Sequence, residues 1–277
     1  MNKKLWEASP GQKKKSLLSS YEQFISKKFK KRFNQKYDNI LKWSIENPGN
    51  FWSSIWDFSE IKGFKSKIKI KKSKIFYKNK FLPNSKLNFA ENLLSKNNKN
   101  KAITFISENG FREERSWYEL NINVSKISKF LKSIKIKKKD RVAAYMPNTI
   151  ETIEAFIASS SLGAIWSSCS PDFGVKGVVE RFSQISPKVL FVVDKYFYNG
   201  KIINILERVP LILKEIPSIE YVVIVNYPGE KYLENKYTSK KSKVLKWSEL
   251  IKQESEEIQF PKFDFEQDLA ILYSSGT

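Results

Sequence analysis

Arg141-Val142-Ala143-Ala144-Tyr145 is an arginine followed by a short apolar run, closed by Met146-Pro147-Asn148. It reads as a buried strand, and the chain on either side repeats the theme. Downstream, residues 150–162 have helical spacing, 164–166 read as a short strand, 175–185 as a helix and 189–193 as a strand. Residues 202–209 then read as a helix and 221–225 as a strand. Upstream, residues 117–134 place Leu120, Val124, Ile127, Phe130, Leu131 and Ile134 on one helical face. Before that helix, residues 102–107 and 111–116 read as two strands joined at Asn109-Gly110, a hairpin signal. Alternating strands and helices predict an α/β fold with a largely parallel sheet flanked by helices. No fixed-period repeat is visible.

The first part of the chain has a different character. Residues 15–33 carry Leu17, Leu18, Tyr21, Phe24, Ile25 and Phe29 in a helical stripe with lysines elsewhere. Its polar face runs on into ordinary globular sequence, so docking on its own domain is favoured over membrane binding. A second apolar cluster, residues 37–45, is punctuated by Asn47-Pro48-Gly49 and followed by Phe51, Trp52, Ile55, Trp56 and Phe58. Residues 61–80 alternate Lys with Ile, Phe and Tyr, which suggests exposed extended segments. The polar tract 97–101 marks a boundary. The expected organisation is a helical N-terminal cap module over residues 1–96 and an incomplete α/β domain over 97–277.

Composition narrows the chemistry. The 277 residues include 41% apolar and 14% aromatic side chains, enough for a sizeable core. There is no His, which removes imidazole bases, His-ligated metals and Ser-His or Cys-His pairs. Cys169 is the single cysteine, so neither an internal disulfide nor a cysteine zinc cluster is available, and a reducing, cytoplasmic setting is expected. The start of the chain shows no signal core, and no apolar run is long enough for a membrane span. A soluble protein is expected.

Fifty basic against 29 acidic residues leave +21, which raises the possibility of a Lys-rich binder of RNA or another polyanion. Only Arg32, Arg112, Arg115, Arg141, Arg181 and Arg208 are arginines. Lys lacks the planar fork suited to base-edge and bidentate phosphate contacts, so the charge reads more simply as a Lys-rich composition with no specific nucleic-acid partner.

The chemical signal lies at the end of the sequence, Asp268-Leu269-Ala270-Ile271-Leu272-Tyr273-Ser274-Ser275-Gly276-Thr277. An apolar run leads into hydroxyls and a glycine, which lets backbone N–H groups approach an anion. Taken alone, the tetrad Ser274, Ser275, Gly276 and Thr277 is compatible with either a phosphate-gripping loop or an ordinary polar turn; it is not a Walker loop.

Nearly the whole chain resembles the acyl-adenylate-forming ligases, and within them the acetoacetate-CoA ligases. The shared landmarks are L-N-F-A-E-N-L-L at 87–94, D-R-V-A-A-Y-M-P-N at 140–148 and the terminal Y-S-S-G-T. The stretch that points to the acetoacetate branch is G-A-I-W-S-S-C-S-P-D-F-G at 163–174, with Glu180-Arg181-Phe182 and Tyr198-Asn199-Gly200-Lys201. The resemblance implies activation of acetoacetate by ATP and Mg2+ to an acyl-adenylate, then transfer to coenzyme A. A carboxylate nucleophile needs no His base, so positioning and charge stabilisation can carry that chemistry.

The resemblance also implies site residues. Ser274, Ser275, Gly276 and Thr277 match the opening of the loop that holds the ATP phosphates. Trp166, Ser167 and Ser168 fall where related enzymes place an aromatic and two glycines near coenzyme A. Lys201 falls where they place an arginine near its 3′-phosphate, while Tyr198 replaces a second arginine and cannot supply charge. The residues themselves equally allow Trp166 as a core aromatic and Lys201 as a solvated helix-start lysine. Asp172 and Glu180 read as a helix cap and a surface pair rather than as an acid-base pair. The sequence stops inside the phosphate loop, before the family's adenine contacts, metal carboxylate and catalytic lysine. The 277-residue chain is therefore expected not to turn over alone. A ligase for another short-chain acid, or a non-catalytic piece that docks on a full-length ligase, remain alternative readings.

Overall fold

The computed structural model describes residues 5–231, 233 and 241–274. The chain divides into two units, Met1–Leu87 with Asp264–Glu266, and Asn88–Phe263 with Gln267–Thr277.

In the first unit, serines start the helices. Ser9 and Gln12 close a capping box on α1 (Pro10–Lys14), and the Ser16 hydroxyl accepts from the Ser19 amide to cap α2 (Leu17–Phe29). Lys30 ends α2 in the left-handed region, φ 51°. The chain continues as α3 (Tyr37–Glu46) and α4 (Pro48–Phe58). Pro48 opens α4 at a position where its missing N–H has no helical partner to lose. Beside it, a Cβ on Gly49 would lie 3.0 Å from Ile70 Cγ2, so glycine permits the close approach. The apolar stripe of α2 buries Tyr21 and Ile25 against Phe33, Ile40 and Trp43. Tyr21 meets Phe58 edge-on at 5.2 Å, and Phe33 meets Trp43 at 5.4 Å.

The Lys-rich stretch that follows is extended and short. β1 (Gly63–Phe64) pairs antiparallel with β4 (Lys86–Leu87), and β2 (Ile70–Lys71) pairs with β3 (Lys80–Phe81). Phe265 rejoins this unit, its amide donating to the Ser85 carbonyl at 2.9 Å.

The second unit begins at the buried Asn88. Its Oδ1 accepts from the Glu91 amide to cap α5 (Phe89–Leu93), and its Nδ2 donates to the Ser161 and Pro261 carbonyls at 2.9 and 3.0 Å. Thus the L-N-F-A-E-N motif uses its first asparagine as a cap and a tie. β5 (Lys101–Ile106) and β6 (Arg112–Ser116) form the expected hairpin, and a Ser116–Glu119 capping box starts α6 (Trp117–Ser133).

The central elements are β7 (Arg141–Tyr145), α7 (Ile150–Ser161), β8 (Ile165–Cys169), α8 (Val175–Phe182) and β9 (Val189–Val193). A hairpin follows, β10 (Lys195–Tyr198) and β11 (Lys201–Asn204), then α9 (Val209–Glu215), β12 (Tyr221–Val225), β13 (Lys243–Lys246) and α10 (Trp247–Leu250). The sheet order is β13-β12-β9-β7-β8, parallel throughout. The apolar strands are buried as a both-sided sheet requires, with residues 189–193 all at 0% exposure. Each such buried side chain contributes about 1.5–3 kcal/mol relative to exposure. The chain steps from β7 out to β8 and then returns past β7 to β9. Right-handed crossovers therefore put α7 and α8 on opposite faces and create a switch point at the carboxyl ends of β7 and β9.

One expected helix is replaced. Residues 202–209 are not helical as a block: 201–204 form a strand paired with 195–198, and the helix proper starts at Val209. The cause is the turn Asn199-Gly200, whose φ values of 49° and 73° are the paired positive angles of a tight two-residue hairpin. The strand expected at 164–166 extends to Cys169, and the helix expected at 175–185 stops at Phe182. Among the described residues, no helix is long and apolar enough to cross a membrane.

Candidate functional site

Of the residues singled out above, Trp166, Ser167 and Ser168 lie in β8 and Lys201 in the hairpin that follows β9. The apolar run that precedes the terminal tetrad lies along β8: the Trp166 amide donates to the Leu269 carbonyl at 3.1 Å, and the Ile271 amide donates back to Trp166 at 2.8 Å. This parallel bridge between Trp166 and Ala270 carries the chain towards the carboxyl edge. The buried Ser167 hydroxyl fixes the same run by donating to the Ile271 carbonyl at 2.9 Å. Ser274 emerges exposed; Ser275, Gly276 and Thr277 lie outside the described residues.

The other assigned residues separate into wall and surface. Trp166 is 5% exposed and packs between Phe156 and Phe191, with centroids at 5.9 and 6.3 Å, so its ring belongs to the core. Ser168 is exposed. Lys201 is also exposed, opposite Tyr198 at the hairpin tip, and makes no ion pair among the described residues. It is a strand residue beside a turn rather than the start of a helix.

The loop after β8, residues 170–174, is held by side chains that sequence reading did not single out for this purpose. Tyr145, buried in β7, donates to the Phe173 carbonyl at 2.5 Å. Arg208 donates to the Tyr145 hydroxyl at 2.6 Å, and to the Pro171 and Phe173 carbonyls at 3.0 and 3.2 Å. Burial pushes the Tyr145 phenol above its ordinary value. Asp172 does not cap α8, whose N-cap is Gly174; its carboxylate accepts from the Ser170 hydroxyl at 2.6 Å and from the Tyr196 hydroxyl at 2.8 Å. Burial first, and the Asp172 carboxylate second, push the Tyr196 phenol up to about 12. Glu180 pairs with Lys176 along α8 at 3.9 Å, the expected surface pair.

Asp194 fixes the base of the hairpin. Fully buried at the end of β9, it accepts from the backbone amides of Lys195, Tyr227 and Leu233 at 2.8, 2.9 and 3.0 Å. Burial raises its pKa, while those amides and Lys195 pull the other way. The sequence signal for this anchor was an acidic residue ending an all-apolar strand.

Arg181 completes the site. Its guanidinium stacks 4.1 Å from the Phe173 ring and 5.9 Å from the Tyr273 ring. Burial pushes the nearby Cys169 thiol up, so that it stays protonated. Among the described residues, no three His, Cys, Asp or Glu side chains gather as a metal group.

The family model described as AMP-binding enzyme matches residues 92–277. This chain belongs to that family. Among its relatives, the acetoacetyl-CoA synthetase of Xenopus tropicalis is 35% identical over 276 residues, covering 97% of this chain and 41% of that one. A malonamoyl-CoA synthetase of Penicillium aethiopicum is 31% identical, covering 99% of this chain and 39% of that one. A solved acetoacetyl-CoA synthetase from Streptomyces lividans shares the fold at a TM-score of 0.88 and 23% identity, over 99% of this chain and 42% of that chain. The chain thus spans about two fifths of the length of these proteins.

Proposed function

We propose that this chain supplies the opening part of an acetoacetate-CoA ligase. Residues 1–96 serve as the N-terminal cap module and 97–277 as the first part of the AMP-binding domain. The observation that carries the reading is the parallel bridge at Trp166 and Ala270, which brings the start of the Y-S-S-G-T segment to the carboxyl edge beside the loop after β8. Ser274, Ser275, Gly276 and Thr277 grip the β- and γ-phosphates of ATP. Ser168 and Lys201 face coenzyme A, with Trp166 and Ser167 as the wall behind them.

In the reaction, a carboxylate oxygen of acetoacetate bonds to the α-phosphorus and the bond to pyrophosphate breaks. The sulfur of coenzyme A then bonds to the acyl carbon, AMP leaves, and the thiol proton passes to solvent. Mg2+ offsets phosphate charge when bound. This chain's residues orient the phosphates through backbone amides and hydroxyls and hold the coenzyme loop in place. Both relatives are named for acids with a carbonyl two carbons from the carboxylate, which supports a β-carbonyl acid as substrate. The buried, unpaired Cys169 supports a cytoplasmic setting.

The test fuses residues 1–277 to the remainder of the Xenopus tropicalis relative and measures ATP–pyrophosphate exchange across an acid panel. Acetoacetate is expected to support exchange well above acetate or propionate, and the unfused chain is expected to show none. Preference for acetate in the fusion would overturn the assignment.

A further inference from the structure

The stretch 61–90 holds ten lysines and neither Asp nor Glu, while the chain as a whole carries 29 acids. A Lys-rich composition adds lysines but does not remove acids, so this segment is positive beyond the general balance. Part of that charge is engaged within the first unit. Lys65 pairs with Asp57 at 2.6 Å, Lys69 donates to Asn50 at 2.7 Å, and Lys80 pairs with Glu266 at 2.7 Å. Lys67, Lys71, Lys72, Lys74 and Lys78 are exposed and make no ion pair among the described residues.

The same segment carries apolar side chains into solvent. β2 and β3 pair Ile70 with Phe81 and Lys71 with Lys80, and residues 72–79 close the hairpin. The Ile70–Phe81 face packs on α4, where Phe81 meets Trp52 at 6.0 Å and Ile70 lies against Gly49. Hydrogen bonds fix the loop. Asn79 Oδ1 accepts from the Ser73 amide at 2.8 Å, and the Ser73 hydroxyl accepts from the Ile75 amide at 3.2 Å. The Lys78 and Asn79 amides donate to the Ile75 and Phe76 carbonyls at 3.0 and 3.1 Å. This turn presents Ile75, Phe76 and Tyr77, exposed by 43%, 88% and 80%, and neither aromatic makes a ring contact among the described residues. Adjacent apolar side chains in water, flanked by one sign of charge, mark an interaction surface.

We propose that this hairpin tip docks the protein reversibly on an anionic lipid surface, with Phe76 and Tyr77 entering the headgroup region and the five unpaired lysines lying over lipid phosphates and carboxylates. Aromatic rings favour the membrane interface, and lysines beside them add attraction to anionic headgroups. Either signal alone is weak, and the two together hold. A second copy of this chain is disfavoured, because it would bring the same lysines together. Single-stranded nucleic acid is disfavoured as well: it is held in a groove of stacking platforms, whereas here the apolar residues crown a turn and one of them, Ile75, cannot stack on a base. An acidic protein would answer the lysines but would need a matched pocket for two rings. A lipid surface takes both without one.

The experiment measures sedimentation of the 277-residue chain, at about 0.15 M salt, with phosphatidylcholine vesicles containing about 30% phosphatidylserine and with vesicles of phosphatidylcholine alone. Binding to the anionic vesicles is expected at least about tenfold tighter. Phe76→Ser with Tyr77→Ser should weaken it at least about tenfold while the melting transition stays close to wild type, because both side chains already lie in water. Lys72→Gln with Lys74→Gln should weaken it about as much, and decides the matter if the serine variant does not fold. Lys214→Gln with Lys252→Gln removes the same charge from exposed positions of the second unit and should change binding by no more than about twofold, which separates the tip from the +21 of the whole chain. Equal binding to both vesicles, binding unchanged in both tip variants, or an equal loss in the distant pair would overturn the proposal. So would tip-dependent binding to polyuridylate or polyglutamate tighter than to the vesicles, which would assign the surface to a nucleic acid or an acidic protein.

Discussion

The hydroxyl of Tyr273 donates to the backbone carbonyl of Arg181 at 2.5 Å, across 92 positions of sequence. The same arginine stacks on Phe173, so one residue of α8 touches both the loop after β8 and the run that leads to Ser274. Tyr273→Phe removes the bond and should cost about 1 kcal/mol in urea unfolding. Arg181→Lys should not restore what Arg181→Ala loses, because an ammonium cannot lie flat on two rings.

Arg208 binds Tyr145 and two loop carbonyls together. Arg208→Met keeps the stem and removes the donors, with an expected loss of about 2 kcal/mol. Limited proteolysis should show faster cleavage within residues 170–174, and a variant as resistant as wild type would contradict this role.

Two buried carboxyls on α7 give a pH signature. Burial pushes Glu154 up to about 8, against the pull of Arg115, and pushes Glu151 up as well. The folded state therefore holds protons that the unfolded chain releases near the ordinary value of 4.5. Stability from these groups is full below that value and is lost as pH rises towards about 8. Glu154→Gln should flatten the decline in melting temperature between pH 5 and 8 relative to wild type. A parallel pair of curves would contradict the assignment.

The hairpin supports two separable tests. Gly200 sits at φ 73°, so Gly200→Ala should cost about 1–2 kcal/mol through backbone strain. Lys201→Ala should leave stability within about 0.5 kcal/mol of wild type. In the fused ligase, Lys201→Ala should raise KM for coenzyme A several-fold, and much less for the analogue that lacks the 3′-phosphate.

The sequence made the sheet legible because residues 142–145, 189–193 and 221–225 are short runs without a charged side chain, as strands buried on both faces require. The stretch 202–209 misled because Ile202, Ile203, Ile205, Leu206 and Val209 satisfy a helical spacing, while Asn199-Gly200 carried the stronger local signal. At the site, the terminal segment's approach to β8 could not be read, since parallel pairing joins residues far apart. Trp166 shows the same limit: a strand residue's facing depends on which layer covers it, and Phe156 and Phe191 cover this one. Arg208 carried no signal of its own in the sequence, because its partners, the Tyr145 hydroxyl and the Pro171 and Phe173 carbonyls, are brought within reach only by the fold.

The most direct test compares acetoacetate-dependent ATP–pyrophosphate exchange in the fused ligase with the same protein carrying Ser275→Ala and Thr277→Ala. If these residues begin the grip on the ATP phosphates, exchange should fall at least about 100-fold while the melting temperature stays close to that of the unsubstituted fusion. Exchange that proceeds at the unsubstituted rate would contradict the account.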